Sequence, residues 1–317
     1  MGEALVSRTV PTLMNIRSWL KNKRIGVLYG GRSAERPISL LSGKAVLAAL
    51  KELGVNAVGI DAGPDLAFDL KKNKIDFAYI ALHGPWGEDG TVQGLLEIMG
   101  IPYSGCGVLS SALSMNKIYS KRIFDSAGIP TPRWTVLGPE GAKTLPRFPC
   151  FVKPSTQGSA IGVSRVTGKS SFKIAVKKAF EFDDRILVEK LISGTEITVG
   201  VLGRTALPVI EIVPANKFYD YESKYKPGFS RHLIPARTSG SASAGAQKLA
   251  LAVFDALGCK AVARIDMIID KKGNHWVLEA NTVPGMTETS LLPDAARAAG
   301  LSFGDLILEI IRFSVNG

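Results

Sequence analysis

Cysteine is scarce in this chain. Cys106, Cys150 and Cys259 are odd in number and far apart along 317 residues, which argues against both a disulfide framework and a zinc site. Equally absent is any apolar run approaching the ~20 residues needed to cross a bilayer. Residues 1–23 contain no compact apolar stretch leading to a small-residue cleavage site. A cytoplasmic protein that makes no use of a membrane is expected. The chain also lacks a Walker A loop, a full G-x-G-x-x-G, an internal repeat, a low-complexity tract and any RNA- or DNA-binding signature. Acidic residues are the minority, 28 against 39 Lys and Arg for a formal charge of +11, but the basic residues are scattered, with only short runs such as Lys21 to Arg24 and Lys71 to Lys74. Nucleic acid is therefore not the expected partner. A positive field serves equally well an enzyme that binds a polyphosphate and a carboxylate.

What is present is an ordinary globular composition, 46% hydrophobic and 21% charged, in a chain long enough for two or three compact units. Residues 1–23 form a basic extension in which Leu13, Ile16, Trp19 and Leu20 have loosely helical spacing, so it is read either as a helix laid on the body or as a disordered leader. Residues 24–105 alternate strand and helix: a strand Ile25 to Tyr29, a helix Ile38 to Leu53, and strands Val55 to Ile60 and Phe77 to Leu82. This is a parallel α/β unit. Residues 106–189 make a second unit, with a helix from Lys117 to Ala127 ended by Gly128 and strands around Phe151, Gly162 and Ile186. Residues 190–317 make a third. Its strands are Glu196 to Leu202, Leu207 to Val213 and a polar hairpin, and its helices lie near Ala244 to Leu257, Leu292 to Ala299 and Phe303 to Phe313. The fold class is α/β, of the α+β kind.

The polar hairpin is the most telling segment. Ala261 to Ile269 and Trp276 to Asn281 alternate polar and apolar residues around Lys272-Gly273. A turn centred between those two residues sets Asp266 opposite Glu279 and Arg264 opposite Asn281 on one face. Ile265, Met267, Leu278 and Ala280 then face the core. Two carboxylates about 5 Å apart repel by roughly 3 kcal/mol at an effective dielectric near 20, so a cation is expected there. It is either Arg264, in a simple salt-bridged hairpin, or a metal. An all-oxygen set suits Mg²⁺ or Mn²⁺. The Pro284-Gly285 turn that follows brings backbone N–H donors suited to an oxyanion or phosphate.

Four other segments bear on chemistry. Phe151 to Pro154, a loop of small residues Ser155 to Gly158, and Ser159 to Val163 form either a loop that folds over phosphates beside Lys153 or an ordinary hairpin. Ile186 to Gly194 reads as a strand entering a hinge whose backbone suits an adenine edge, with Glu189 or Glu196 at a ribose. Phe218 to Tyr225, between Pro214 and Pro227-Gly228, has the composition of a lid or of a surface loop with buried aromatics. Gly30 to Arg36 and His83 to Gly90 each follow a strand and occupy the crevice at the carboxyl end of a parallel sheet. Glu35 and His83 there converge on one ligand, although a lone histidine is more often structural. Asp61, ending the next strand, leaves a dinucleotide site as the weaker reading.

Together these residues closely resemble the D-alanine:D-alanine ligases of the ATP-grasp superfamily over about Lys23 to Phe313. The most specific parts are Gly30-Gly31-Arg32-Ser33-Ala34-Glu35, Ala81 to Gly84 with Gly87-Glu88-Asp89-Gly90, Tyr219 to Tyr225, and Leu278 to Thr282 with Pro284-Gly285-Met286-Thr287. The resemblance implies an ATP-grasp fold, an N-terminal α/β substrate unit followed by two subdomains that hold ATP between them. It implies Lys117 and Lys153 on phosphates, Glu189, Lys190, Leu191, Glu196 and Phe218 around the nucleotide, and Lys224 near the γ-phosphate. Asp266, Glu279 and Asn281 would hold two Mg²⁺ ions, or Mn²⁺. Glu35 and His83 would orient the first D-alanine, Arg264 and the Gly285 N–H would stabilise the oxyanion, and Ser290 with Leu291 would receive the second substrate. Ser159 and Tyr225 would close a lid on Glu35, and Lys224-Tyr225 favours an amine nucleophile. Ala160, Val283 and a compact stretch after Tyr225 depart from the commoner pattern. The implied reaction makes D-alanyl-D-alanine through an acyl phosphate, for peptidoglycan precursors, in a homodimer. The nearest alternative joins D-alanine to another D-amino acid or a hydroxy acid. A reading from a different class is a non-catalytic protein that binds nucleotide or nucleic acid.

Overall fold

The computed structural model describes residues 13–141, 145–214 and 230–315. Phe218, Lys224 and Tyr225 lie outside these. In the first 110 residues, strands β1 (Ile25–Tyr29), β2 (Ala57–Asp61) and β3 (Phe77–Ile80) form a parallel sheet in the order β2-β1-β3. Around it lie α1 (Leu13–Leu20), α2 (Arg36–Glu52), α3 (Leu66–Lys72) and α4 (Thr91–Ile98). Next come α5 (Val108–Met115) and α6 (Lys117–Ser126), then β4 (Trp134–Leu137), β5 (Cys150–Pro154), β6 (Ser164–Val166), α7 (Lys169–Ala179) and β7 (Ile186–Lys190). Those four strands form an antiparallel sheet ordered β4-β7-β5-β6.

The largest sheet contains β8 (Gly194–Leu202), β9 (Thr205–Ala206), β10 (Ile210–Pro214), β11 (Ser230–Leu233), β12 (Val262–Asp270) and β13 (His275–Asn281). Its order is β11-β10-β8-β12-β13, with β9 paired to β8. Helix α8 (Gly240–Ala256) precedes β12, while α9 (Leu291–Ala298) and α10 (Phe303–Val315) end the described chain. Among the described residues no helix is long and apolar enough to cross a membrane.

Several element ends differ from the sequence expectation for identifiable reasons. Helix α2 begins at Arg36 rather than Ile38 because Pro37 sits in its first turn, where no N–H is needed. Val55 closes the turn that ends that helix rather than opening β2, since its N–H donates to the Leu50 carbonyl (2.9 Å) beyond Gly54, whose φ is +73°. Ser239 accepts from Ala242 N and starts α8 four residues before Ala244. Gly162, expected in a strand, has φ +71° and lies in a turn; β6 starts only at Ser164. The expected strand from Leu207 begins at Ile210, beyond Pro208, which has no N–H to give a ladder.

The first and largest sheets share one apolar core, because the α10 residues Leu306, Ile307, Ile310 and Ile311 pack with Val27, Phe77 and Tyr79 on one side and Leu202 and Ile210 on the other. Of the two readings of residues 1–23, the described part takes the helical one: Ile16 and Leu20 are buried in this core, and Trp19 stands edge-on to Phe77 at 5.8 Å. Replacing Ile16 by Ala should therefore lower the unfolding free energy by about 2–4 kcal/mol. A urea titration checks this, and an unchanged midpoint would show that α1 adds nothing to the core.

Glu211 is buried and takes Arg237 Nη2 at 2.6 Å and Arg237 N at 2.9 Å. The guanidinium holds its carboxyl below the usual range, as Arg36 does for Asp61. A carboxyl whose pKa is lower folded than unfolded contributes stability that is present above about pH 4 and lost as the pH falls further. Melting temperatures should thus drop below about pH 4, and Glu211→Gln should make that drop shallower.

Candidate functional site

The hairpin β12–β13 has the expected register in its upper half, with Arg264 opposite Asn281 and Asp266 opposite Glu279. Below them the pairing shifts: Met267 faces Val277, so Leu278 is an extra residue in β13. This β-bulge corrects two expectations. The turn is centred on Lys272, with Asp270 and Asn274 closing it, rather than between Lys272 and Gly273. Leu278 does not share the core face of Ile265, Met267 and Ala280; Val277, fully buried, takes that place, and Leu278 faces a cavity.

Two cavities of about 530 and 540 Å³ meet at this hairpin, each of a size that suits a small-molecule ligand. Glu35, His83, Ser159, Arg264, Asn281, Gly285, Ser290 and Leu291 line the first. The second is lined by Lys153, Glu189, Lys190, Leu191, Glu196, Asp266 and Leu278. Lys117 and Glu279 line both. A ligand in one cavity can therefore meet a ligand in the other at these two residues.

Each carboxylate at the junction faces a cation of the chain. Arg264 donates to Asp266 through Nε (2.9 Å) and Nη2 (2.8 Å), and the Thr198 hydroxyl donates to the same group at 2.6 Å. Lys117 Nζ is 3.4 Å from Glu279 Oε2 and donates to the Gln157 carbonyl at 2.7 Å. The Asn281 side-chain oxygen accepts from Val283 N at 3.0 Å. Among the described residues there is no cluster of three or more His, Cys, Asp or Glu that could hold a metal. Two carboxylates and an amide oxygen nevertheless fit Mg²⁺, which commonly takes one or two carboxylates and completes its shell with phosphate oxygens and water.

In the second cavity Glu189 is not open to a ribose. It is 1% exposed, with one oxygen on Lys153 Nζ at 2.5 Å and the other on Lys121 Nζ. Burial pushes its carboxyl up, but the two ammonium groups outweigh this and hold it below the usual range. Of the two carboxylates considered for a ribose, Glu196 is the one on the open wall. Lys121 itself escaped the sequence reading, although its spacing from Lys117, one helical turn along α6, was a usable signal. Asn116 accepts from Ile118 N and Tyr119 N and so fixes the start of the helix that presents both lysines.

In the first cavity Ser159 Oγ donates to Glu35 Oε2, joining residues 124 apart in sequence. Gly158 has no side chain to interfere; a Cβ there would lie 2.6 Å from Glu35 Oε1. His83 is buried between Glu88 Oε1 (3.1 Å from Nδ1) and Ser42 Oγ (3.3 Å from Nε2), and Ser42 accepts from Met286 N at 3.2 Å. This chain of contacts sets the backbone next to Gly285. Ser42 was also missed, although it lies two helical turns beyond Glu35; Glu88 stood in the His83 to Gly90 segment without a role of its own. Ser290 Oγ accepts from Thr287 N at 3.0 Å. Asp61 is taken up by Arg36 at 2.7 and 2.6 Å, which accounts for it without a dinucleotide.

The loop after β5 is held at its base by Asp183, which accepts from Ser155 Oγ, Thr156 N and Thr156 Oγ1, each at 2.8 Å. Burial raises the Asp183 carboxyl, yet these donors leave it below the usual range. Farther along, Ser159 and Ala160 have φ of +51° and +58°. Such angles are uncommon outside glycine.

The D-ala D-ala ligase C-terminus profile matches residues 123–312, and the D-ala D-ala ligase N-terminus profile matches residues 62–106. A D-alanine–D-alanine ligase of Syntrophotalea carbinolica is 48% identical over 297 residues, 93% of this chain and 97% of that protein. One from Citrifermentans bemidjiense is 49% identical over 92% and 96% of the two chains. The crystal structure of a D-alanine–D-alanine ligase from Bacillus anthracis complexed with ATP is similar at TM-score 0.82 and 36% identity, covering 93% of this chain and 98% of that one.

Asp183→Asn should speed amide hydrogen exchange at Thr156 roughly tenfold or more while leaving the β8–β12 pairing protected. Unchanged exchange at Thr156 would show that Asp183 does not order the loop.

Proposed function

Because the chain belongs to the D-alanine–D-alanine ligase family, we propose that it joins two D-alanines into D-alanyl-D-alanine, cleaving ATP to ADP and phosphate. The observation that carries this reading is the meeting of two cavities at Lys117 and Glu279. ATP fits the cavity of Lys153, Lys190, Leu191 and Glu196, with its terminal phosphate toward the junction. Lys117 and Lys153 draw its phosphates. The amino acids fit the other cavity.

In this reading Glu35 meets the ammonium of the first D-alanine, with His83 beside it, and Ser159 fixes the Glu35 carboxylate. A carboxylate oxygen of that substrate attacks the γ-phosphorus; the bond to ADP breaks and an acyl phosphate forms. The amine of the second D-alanine, its carboxylate near Ser290 and Leu291, then attacks the acyl carbon. Arg264 and the Gly285 N–H stabilise the tetrahedral oxyanion, a role typically worth a few kcal/mol. Phosphate leaves and the amine loses its proton. Mg²⁺ or Mn²⁺, two ions when the site is full, held by Asp266, Glu279 and Asn281, would neutralise phosphate charge during transfer. Lys224, Phe218 and Tyr225 keep their assigned roles near the nucleotide and the lid. The reading carries with it residues 24–105 as the substrate unit and 106–189 with 190–317 as the nucleotide-holding units. A cytoplasmic homodimer supplying peptidoglycan precursors completes it.

Incubation with ATP, Mg²⁺ and D-alanine, beside D-serine and D-lactate, should yield D-alanyl-D-alanine as the main product by mass spectrometry. Its absence would overturn the substrate assignment. Glu279→Gln should cut ADP release roughly a hundredfold or more, and an unchanged rate would count against the metal site.

A further inference from the structure

The buried ammonium of Lys121 has no part in the reaction as described. Its residue is 1% exposed, and Nζ touches the Glu189 carboxylate and the Thr131 hydroxyl and lies 3.3 Å from the Val277 carbonyl. Thr131 Oγ1 in turn donates to Val277 at 2.8 Å. Helix α6 therefore gives one ammonium to each wall of the second cavity: Lys117 to Glu279 on β13 and Lys121 to Glu189 on β7. A buried ion pair seldom stabilises a fold more than apolar residues of the same volume. Stability alone therefore does not account for this one.

The count of charges supplies a use. Two ammonium groups share the single Glu189 carboxylate, so this triad carries one net positive charge. Remove Lys121, and Glu189 and Lys153 cancel. We propose that Lys121 is a positioning residue that neutralises Glu189 from inside the protein, leaving the charge of Lys153 available to the nucleotide's phosphates. Lys153, 14% exposed at its side chain, is the triad's cation that lines the cavity; Lys121 does not line it. When its ammonium turns toward a phosphate, the carboxylate it leaves stays paired. The inference rests on the reading that ATP occupies this cavity.

The test is equilibrium binding of ATP, ADP and adenosine to the full chain as wild type, Lys121→Met, and Lys121→Met with Glu189→Gln. Lys121→Met should weaken ATP and ADP roughly tenfold or more and adenosine less than about threefold, because only the phosphates sense the lost charge. In turnover its effect should fall on the KM for ATP and spare that for D-alanine. The double variant, which removes the carboxylate together with its internal partner, should bind ATP more tightly than Lys121→Met alone. A merely structural role predicts equal weakening of adenosine and ATP, with no recovery in the double variant, and that result overturns the proposal. Unchanged ATP affinity in Lys121→Met overturns it as well. If Lys121→Met does not fold, the double variant decides alone: an ATP-to-adenosine preference within about threefold of wild type supports the proposal, and its loss overturns it. Failure of the wild type to bind ATP at all would instead remove the ligase reading and this inference with it.

Discussion

Three carboxylates crowd one junction in this molecule, and the requirement that each be matched by positive charge organises everything near it. Asp266 takes Arg264, Glu279 takes Lys117, and Glu189 takes Lys121 and Lys153. These cations come from three elements, β12, α6 and β5. Matching them therefore locks the two antiparallel sheets to the helix between them. It also leaves a site in which every acid is paired, with one cation in excess, and in which partners can be exchanged. An arriving polyphosphate offers oxygens to the lysines, and a divalent cation offers charge to the acids.

Rigid packing makes that exchange local. Helix α10 is buried between the first and largest sheets, so the loops after β1 and β3 that carry Glu35 and His83 are held in place relative to the hairpin. Side chains beneath the site are already committed: Thr198 to Asp266, Ser42 to Met286 N, Asp183 to the loop base. Such support holds reacting groups in place without reorganisation during a reaction. Ser159 and Ala160 are two of the five described non-glycine residues with positive φ, and these angles set the Ser159 hydroxyl on Glu35. Backbone strain of this kind persists where surrounding contacts over-determine it.

Much of the site was legible because period-two alternation and turn chemistry are local. Asp266 opposite Glu279 follows from counting outward from a Gly-containing turn. The count succeeded through two compensating differences, however: the turn lies half a residue earlier, and Leu278 bulges to restore the register. A bulge is invisible to alternation, which is why Leu278 was assigned to the wrong face. Element ends were misplaced where single residues decide them, at Pro37, Val55, Gly162, Pro208 and Ser239, because a cap or a missing N–H outweighs the hydrophobic pattern.

By itself the amino-acid order determined the alternation of strands and helices, the facing acids of the hairpin, and the motifs that carry the family resemblance. All depend on neighbours a few residues apart or on residue identity alone. Only the tertiary structure decided that Lys121 lies under Glu189, that Ser159 reaches Glu35, and that two cavities join at Lys117 and Glu279. Those contacts span up to 162 positions. They exist because burying an ion requires a partner of opposite charge, whatever distance along the chain that partner must come from.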